Sequence, residues 1–236
     1  MSVLNSKGGI GKSFVASLLG QWLRDQGRPV VCLDTDRLNA SLSDVKALQA
    51  EEIPIIDEEG MVDIDAIDGI VDRIAKEDTN FVIDSGATSF VPLGRHLVTE
   101  GVAEILRQHG KRLVAHAIVS GGSELGHTVR GLDAMATQFP PSVALVAWLN
   151  EYHGPIDSSD VRFEATPIYQ KHQTRISGIV RLAKLNPATY GKNLAAMIAR
   201  GQTFAEARED SSLFIQTRQR LVEVQRPIWA QLAATL

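Results

Sequence analysis

The segment that decides the fold of this chain is KGGIGKS, residues 7 to 13. It follows a short apolar stretch at Val3-Leu4 and precedes an amphipathic helix pattern, which is the context that a phosphate-binding loop requires. Its glycines let the backbone wrap closely around a polyphosphate with several N–H groups pointing inward. The helix that follows directs the positive end of its dipole at the same anion. The sequence therefore predicts a polyphosphate site at the start of the first helix.

Side chains of this loop carry the predicted chemistry. Lys12 can reach the β- and γ-phosphates, and the Ser13 hydroxyl can ligate Mg²⁺. One position departs from the general pattern, because Ser6 stands where a glycine is expected and Lys7 adds a lysine at the start of the loop. A chance glycine–lysine cluster on a surface turn is the alternative, and the order of strand, loop and helix argues against it. The predicted nucleotide contacts are Gly8, Gly9, Ile10, Gly11, Lys12, Ser13 and Phe14.

The remaining chain alternates between apolar runs and amphipathic helical patterns. This alternation predicts an α/β fold with a doubly wound, mostly parallel sheet and helices on both faces. We expect one domain over residues 1–236, with C-terminal helices in 187–236 packed on the core, because no linker-like composition divides the chain. Predicted strands lie at 29–33, 81–84, 113–119 and 143–149, with weaker candidates at 53–56 and 178–185. Predicted helices cover 13–26, 63–76, 93–109, 123–138, 187–200 and 211–235, the last kinked or divided at Pro227.

Composition indicates a protein of the cytoplasm. The single cysteine, Cys32, lies in an apolar run and is expected to be buried rather than reactive, and one cysteine favours a reducing compartment. The N-terminus leads directly into the loop without a signal peptide, and no apolar run approaches the ~20 residues that span a bilayer. We therefore expect no stable membrane insertion. The net charge of −4 does not indicate a nucleic-acid binder, although a local basic patch stays open.

Two acidic motifs end predicted strands. Asp34-Thr35-Asp36, followed by Asn39, closes one strand, and Asp84, followed by Ser85-Gly86, closes another. Carboxylates at the carboxyl ends of parallel strands lie in the crevice where such sheets bind ligands. Each aspartate alone could equally cap a strand end. Together with the loop they predict a Mg²⁺ site whose candidate ligands are Ser13, Asp36 and Asp84.

With its extra Lys7, the loop resembles that of the deviant Walker A ATPases, a family that includes the ParA and MinD proteins. The resemblance implies an ATP- and Mg²⁺-dependent homodimer in which Lys7 crosses the interface to the partner's nucleotide. It also implies that Asp36 positions or activates the attacking water. Lys7, Lys12 and Asp36 are thus the catalytic candidates, and slow, dimer-dependent hydrolysis is expected.

The same resemblance suggests how the base is recognised. Asn150 follows a predicted strand at the position where family members place an asparagine that reads adenine, and Pro187 could pack on the base edge. Ordinary turn residues are the alternative for both positions. Thr88-Ser89-Phe90 and Pro92 follow the second acidic motif and could form a switch segment or simply begin a helix.

Four longer strings resemble family members encoded in conjugative plasmid transfer regions, which suggests transfer proteins as partners. These strings are DTDRLNASL (34–42), IDSGATSFVPL (83–93), QFPPSVALVAWLNEYHGPI (138–156) and LNPATYGKNLAAMI (185–198).

Other functions on the same scaffold remain open. A partition ATPase would bind DNA through a basic surface, but the candidates are loosely spaced and better fit a solvated helix face. A membrane-cycling ATPase would need an amphipathic C-terminal helix, but Pro227 interrupts residues 211–236, which better fit a docking helix. A small-molecule ligase does not explain Lys7, and a nucleotide-switched scaffold with little turnover is the non-enzymatic alternative. The basic candidates are Arg175, Arg181, Lys184, Lys192 and Arg200.

Overall fold

A seven-stranded sheet forms the centre of the protein. The computed structural model describes residues 1–4, 7–36, 41–57, 60–86, 90–157 and 161–236. Every pair of neighbouring strands is parallel, in the order β3-β2-β4-β1-β5-β6-β7, so the predicted fold class is confirmed. The strands are β1 (Ser2–Leu4), β2 (Val30–Asp34), β3 (Glu51–Glu52), β4 (Asn80–Asp84), β5 (Val114–Ser120), β6 (Ala144–Asn150) and β7 (Ile176–Leu182).

Helices cover both faces of this sheet. Successive strand residues enter different cores: Val3 joins the core under α1 and α9, whereas Leu4 joins the core under α2, α3 and α5. Strands buried on both faces explain the continuous apolar runs seen in the sequence. The helices are α1 (Lys12–Asp25), α2 (Ile64–Lys76), α3 (Phe90–Thr99), α4 (Val102–Gln108), α5 (Leu125–Gln138), α6 (Pro167–His172), α7 (Tyr190–Ala199), α8 (Phe204–Glu209) and α9 (Ile215–Thr235).

Some predicted elements differ from the structure. The strand predicted at 53–56 is wrong: the strand in this region is Glu51–Glu52, and Pro54 lacks the N–H that would continue the ladder. Ile56 forms only an isolated antiparallel bridge with Val62. The helix predicted over 93–109 is two helices, separated at Gly101, whose φ of 62° leaves the helical region. The weak candidate at 178–185 is the full strand β7. The helices α6 and α8 were not predicted, since six residues are too few for a periodic pattern.

The C-terminal helix α9 packs its apolar face into the core. Leu221, Val224, Ile228 and Leu232 are at most 7% exposed, as a docking helix requires. Pro227 lies inside the helix and does not divide it. Over the residues that the structure describes, no helix combines the length and the apolar character needed to cross a membrane.

Strand order determines which loops meet. The central strand β1 lies between β4 and β5. After β1 the chain adds β2, β3 and β4 on one side of it and then β5, β6 and β7 on the other side. The register places Asp84 beside Asp34 on one side and Asn150 beside Ser120 on the other. All these residues end their strands, so their side chains and loops gather at one edge of the sheet, where parallel α/β folds bind ligands.

Replacing a buried residue of α9 should destabilise the whole protein. Leu232 is fully buried, so Leu232→Ala is expected to lower the free energy of unfolding by about 2–5 kcal/mol. Ile215 begins the same helix and is 74% exposed, so Ile215→Ala should change it by less than about 0.5 kcal/mol. Urea unfolding followed by circular dichroism measures both. Equal effects would contradict the docking of α9.

Candidate functional site

The glycine-rich loop joins β1 to α1 and leaves room for a ligand on its outer side. Gly9 and Gly11 have φ of 74° and 96°, a region that residues with a Cβ rarely adopt. A Cβ at Gly8 or Gly9 would meet no atom within 4 Å, whereas one at Gly11 would lie 3.1 Å from the Asn150 side-chain nitrogen. The exposed side of the loop is therefore at Gly8 and Gly9, and its packed side is at Gly11.

Asn150 ties this loop to the end of β6. Its buried side-chain nitrogen donates a hydrogen bond to the Ile10 carbonyl at 3.0 Å, and its side-chain oxygen accepts from the Tyr152 N–H at 3.1 Å. The described contacts of this amide thus support the loop backbone. Recognition of a base by Asn150 stays a prediction. Pro187, the other predicted base contact, lies exposed in the turn between β7 and α7, and its role likewise stays a prediction.

Lys12 begins α1 and turns back toward the loop. It is 8% exposed, and its Nζ donates a hydrogen bond to the carbonyl of Lys7 at 2.9 Å. Burial lowers the pKa of Lys12, while the carboxylates of Asp84 and Asp36 act in the opposite direction. The structure therefore brings together Lys12, Asp36 and Asp84, which the sequence predicted for one site.

Asp84 ends β4 as a buried carboxylate. It is 1% exposed, and neither of its oxygens has a well-aligned hydrogen bond among the described residues. Burial raises its pKa to about 7, with Asp34 and Asp36 adding to the rise, whereas the nearby Ser13 hydroxyl and Lys12 lower it. A buried carboxylate without aligned donors is costly for the protein alone, which is typical of a position that meets a cation.

Asp36 lies on the loop after β2, against the glycine that follows the second acidic motif. A Cβ at Gly86 would come within 2.8 Å of the Asp36 carboxyl carbon, so only glycine admits the carboxylate there. Thr35 fixes the preceding backbone, because its N–H and its hydroxyl both donate to the Asp84 carbonyl, at 2.9 and 2.8 Å. Asp36 is thereby held next to the end of β4.

Asp34 organises the same loop, a role that the sequence analysis did not assign. Its buried carboxylate accepts N–H hydrogen bonds from Asp36 at 3.1 Å, Leu42 at 3.0 Å and Ser43 at 3.4 Å. The available signal was local, since aspartate often accepts a bond from the N–H two residues on. The bonds to Leu42 and Ser43 close a longer loop and had no sequence signal.

Two contacts at the front of the loop were also not predicted. Lys7 forms an ion pair with Glu124 at 3.2 Å, and His153 Nε2 lies 3.2 Å from the carbonyl oxygen of Gly9. Glu124 and His153 follow β5 and β6, so both contacts depend on the strand order. Ile10 is buried and Phe14 packs beside the core of α1, which makes them supports of the loop.

The residues present fit Mg²⁺. In the described ranges, no group of three or more His, Cys, Asp or Glu residues is arranged to hold a metal ion. Mg²⁺ usually keeps several waters and binds one or two protein oxygens plus substrate phosphates, so Ser13 and Asp84 would suffice. Direct ligation by Asp36 stays a prediction. Other predicted positions, Ser6, Asn39, Thr88 and Ser89, lie outside the described residues, as do the side chains of Phe90 and Pro92.

The family model described as "CobQ/CobB/MinD/ParA nucleotide binding domain" matches residues 1–202. The chain belongs to this family. The fold and the geometry of the loop agree with that membership, and the sequence-based recognition of the ParA/MinD family is confirmed.

Within the family, the chain is similar to the protein TraL of Escherichia coli. Two TraL sequences are each 39% identical to it, one over 230 residues, which covers 98% of this chain and 95% of that protein, and one over 234 residues. The MinD cell division protein of Aquifex aeolicus shares the fold, with a TM-score of 0.50 and 15% identity over 97% of this chain and 95% of that one. A chain of the MinC:MinD cell division protein complex of the same organism matches with a TM-score of 0.52 and 15% identity.

Adding a methyl group at Gly86 should displace Asp36. Because the new Cβ would lie 2.8 Å from the Asp36 carboxyl carbon, Gly86→Ala is expected to lower nucleotide turnover about ten- to hundredfold with a smaller change in KM. Gly69 in α2 has open space around it, so Gly69→Ala is the matched control and should leave turnover unchanged. Steady-state phosphate release measures both, and equal turnover in the two variants would contradict the predicted contribution of the Asp36 carboxylate to turnover.

Asp84 should make the metal-free protein less stable as pH rises. Its pKa is about 7 in the folded protein and lower when unfolded, so between about pH 4 and 7 the folded state retains a proton that the unfolded state releases. Stability therefore falls through this window, by up to about 4 kcal/mol from Asp84. Asp84→Asn should remove this component, so the variant should gain stability over wild type at pH 8 and not at pH 4.5.

Urea unfolding in EDTA at the two pH values measures this difference. Asp72→Asn, which removes an exposed carboxylate from the α2 pair with Lys76, is the control and should follow wild type. An identical pH dependence in Asp84→Asn and wild type would exclude Asp84 as its source.

Proposed function

We propose that this protein is a Mg²⁺-dependent ATPase of the ParA/MinD type, which works as an ATP-dependent homodimer in conjugative DNA transfer. The observation that carries the proposal is the convergence of Lys12, Ser13 and the buried carboxylate of Asp84 at the glycine-rich loop. Family membership supports nucleotide binding, and 39% identity to TraL over nearly the whole chain supports the setting.

The loop residues bind and orient the triphosphate in this mechanism. Backbone N–H groups around Gly8–Gly11 and the N-terminus of α1 hold the phosphates, and Lys12 exchanges the Lys7 carbonyl for the β- and γ-phosphate oxygens. Ser13 and Asp84 would hold Mg²⁺, which when bound would neutralise part of the phosphate charge. Asp36, supported by Asp34 and Gly86, orients the attacking water toward the γ-phosphate.

Lys7 supplies the part of the mechanism that one subunit lacks. In the proposed dimer it reaches the nucleotide of the second subunit and stabilises the charge that develops in the transition state, as an arginine supplied in trans does in other nucleotide hydrolases. Basal turnover in the monomer is therefore slow. Association of the two subunits provides the timing of hydrolysis.

A DNA-binding partition ATPase is less well supported. Three of the five basic candidates are engaged within the chain. Arg175 donates to the carbonyls of Phe139 and Pro140, Arg181 pairs with Asp157 and Glu164, and Arg200 lies 3.9 Å from Asp210. The carboxylates beside Arg181 and Arg200 oppose the binding of DNA phosphates by these two side chains.

The proposal is tested by the molar mass in solution together with turnover. Light scattering should give a monomer in ADP, and a dimer in ATP and Mg²⁺ that is long-lived in Asp36→Ala. Turnover of that variant should be at least about tenfold below wild type, as for loss of a group that positions the nucleophile. Asp44→Ala removes an exposed aspartate of the same loop region and should behave as wild type.

Each outcome separates the candidate functions. A monomer in every condition would overturn the dimeric ATPase. Dimer formation in ATP without measurable turnover, even with added DNA or transfer proteins, would favour the nucleotide-switched scaffold. Turnover with GTP in place of ATP tests the choice of adenine.

A further inference from the structure

Three loops meet beside the exposed glycines of the phosphate-binding loop. Lys7 contacts Glu124 from the loop after β5, and the Gly9 carbonyl contacts His153 from the loop after β6. These two outer loops also touch each other: a Cβ at Gly121 would lie 1.9 Å from the Gly154 carbonyl oxygen. Since no side chain fits between them, the backbones of these two loops are in direct contact.

Glu124 itself is anchored at the start of α5. It ends the 3-10 turn Gly122–Glu124, and its carbonyl accepts a hydrogen bond from the Thr128 hydroxyl at 2.9 Å. That hydroxyl in turn accepts from the Ser120 N–H at 3.0 Å, at the end of β5. The backbone of Glu124 is thus fixed to the sheet, and the ion pair with Lys7 breaks if Lys7 moves far from this position.

Lys7 is held by two described contacts of different kinds. Its side chain pairs with Glu124, and its carbonyl accepts the hydrogen bond from Lys12 Nζ at 2.9 Å. The side chains of the ion pair are 44% and 27% exposed, and a pair this open to water is easily exchanged for another partner. If Lys12 turns to a bound phosphate, Lys7 loses this backbone contact, and the ion pair with Glu124 is the described contact that still holds the Lys7 side chain on its own subunit.

We infer that Glu124 is a positioning residue that holds Lys7 on its own subunit until a second copy of the chain presents its nucleotide. This inference rests on the proposed function, since it requires the ATP-dependent dimer. Binding of a triphosphate draws Lys12 away from the Lys7 carbonyl, and the partner's phosphates then compete with Glu124 for the Lys7 ammonium group. The strength of the pair sets how readily the dimer forms.

Removal of the Glu124 charge should favour the dimer. Glu124→Gln keeps the side-chain size and is expected to raise the ATP-dependent association constant about two- to fivefold at low salt, an effect that shrinks as salt screens the pair. Glu104→Gln breaks an exposed pair with Arg107 on α4 and is the matched control, with no expected change. Analytical ultracentrifugation in ATP and Mg²⁺, in the Asp36→Ala background, measures the constant.

A second measurement follows the ion pair directly. A zero-length carbodiimide reagent joins an amine to a carboxylate in contact, so mass spectrometry should find a Lys7–Glu124 cross-link in the nucleotide-free protein. The cross-link should fall at least about threefold in the ATP-trapped dimer, because Lys7 then contacts the partner's nucleotide.

The two readouts distinguish the possible failures. A weaker or unchanged dimer in Glu124→Gln, or a cross-link that persists in the dimer, would overturn the role of Glu124 and leave the dimeric ATPase standing. A monomer in ATP with the cross-link retained would overturn both. A tighter dimer together with loss of the cross-link supports the inference.

Discussion

The opposed burial of Lys12 and Asp84 is the constraint on which the rest of the site depends. Each residue is at most 8% exposed. Burial favours the neutral form of both side chains, so it lowers the pKa of Lys12 and raises the pKa of Asp84. Neither group is placed where it would best stabilise the protein alone. In the proposed function, a polyphosphate and a divalent cation would supply the missing opposite charges, so the same burial that costs folding free energy would favour binding of these ligands.

Much of the surrounding polar structure supports this pair indirectly. Asn150 fixes the backbone at Ile10, Thr35 fixes the end of β2 to Asp84, and Asp34 closes the loop that carries Asp36. These side chains are buried and their hydrogen bonds go mainly to backbone groups. Buried polar networks of this kind define a single arrangement of loops, because any alternative leaves a donor or acceptor without a partner.

The sequence predicted those features that depend on local pattern or on strand order. The loop at residues 7–13, the strand-end carboxylate Asp84 and the docking face of α9 each follow from a short motif or a period that the structure retains. The break at Gly101 was not predicted, because apolar residues continue in helical spacing across it. The support by Asp34 and the contacts of Glu124 and His153 join loops far apart in sequence, and no local signal reports such contacts.

Binding of a nucleotide to this site must exchange existing contacts. Lys12 is bonded to the Lys7 carbonyl in the structure, so its movement to a phosphate alters the backbone at the residue proposed to act on a second subunit. The Gly9 carbonyl, two residues on, is meanwhile in contact with His153 from the loop after β6. Binding of a phosphate is therefore linked to the surface at Lys7, Gly8 and Gly9 through the contacts that Lys12 and His153 make with the loop carbonyls. In the proposed dimer, a signal between subunits would require no large movement of the sheet, because the contacts that change already lie at its edge.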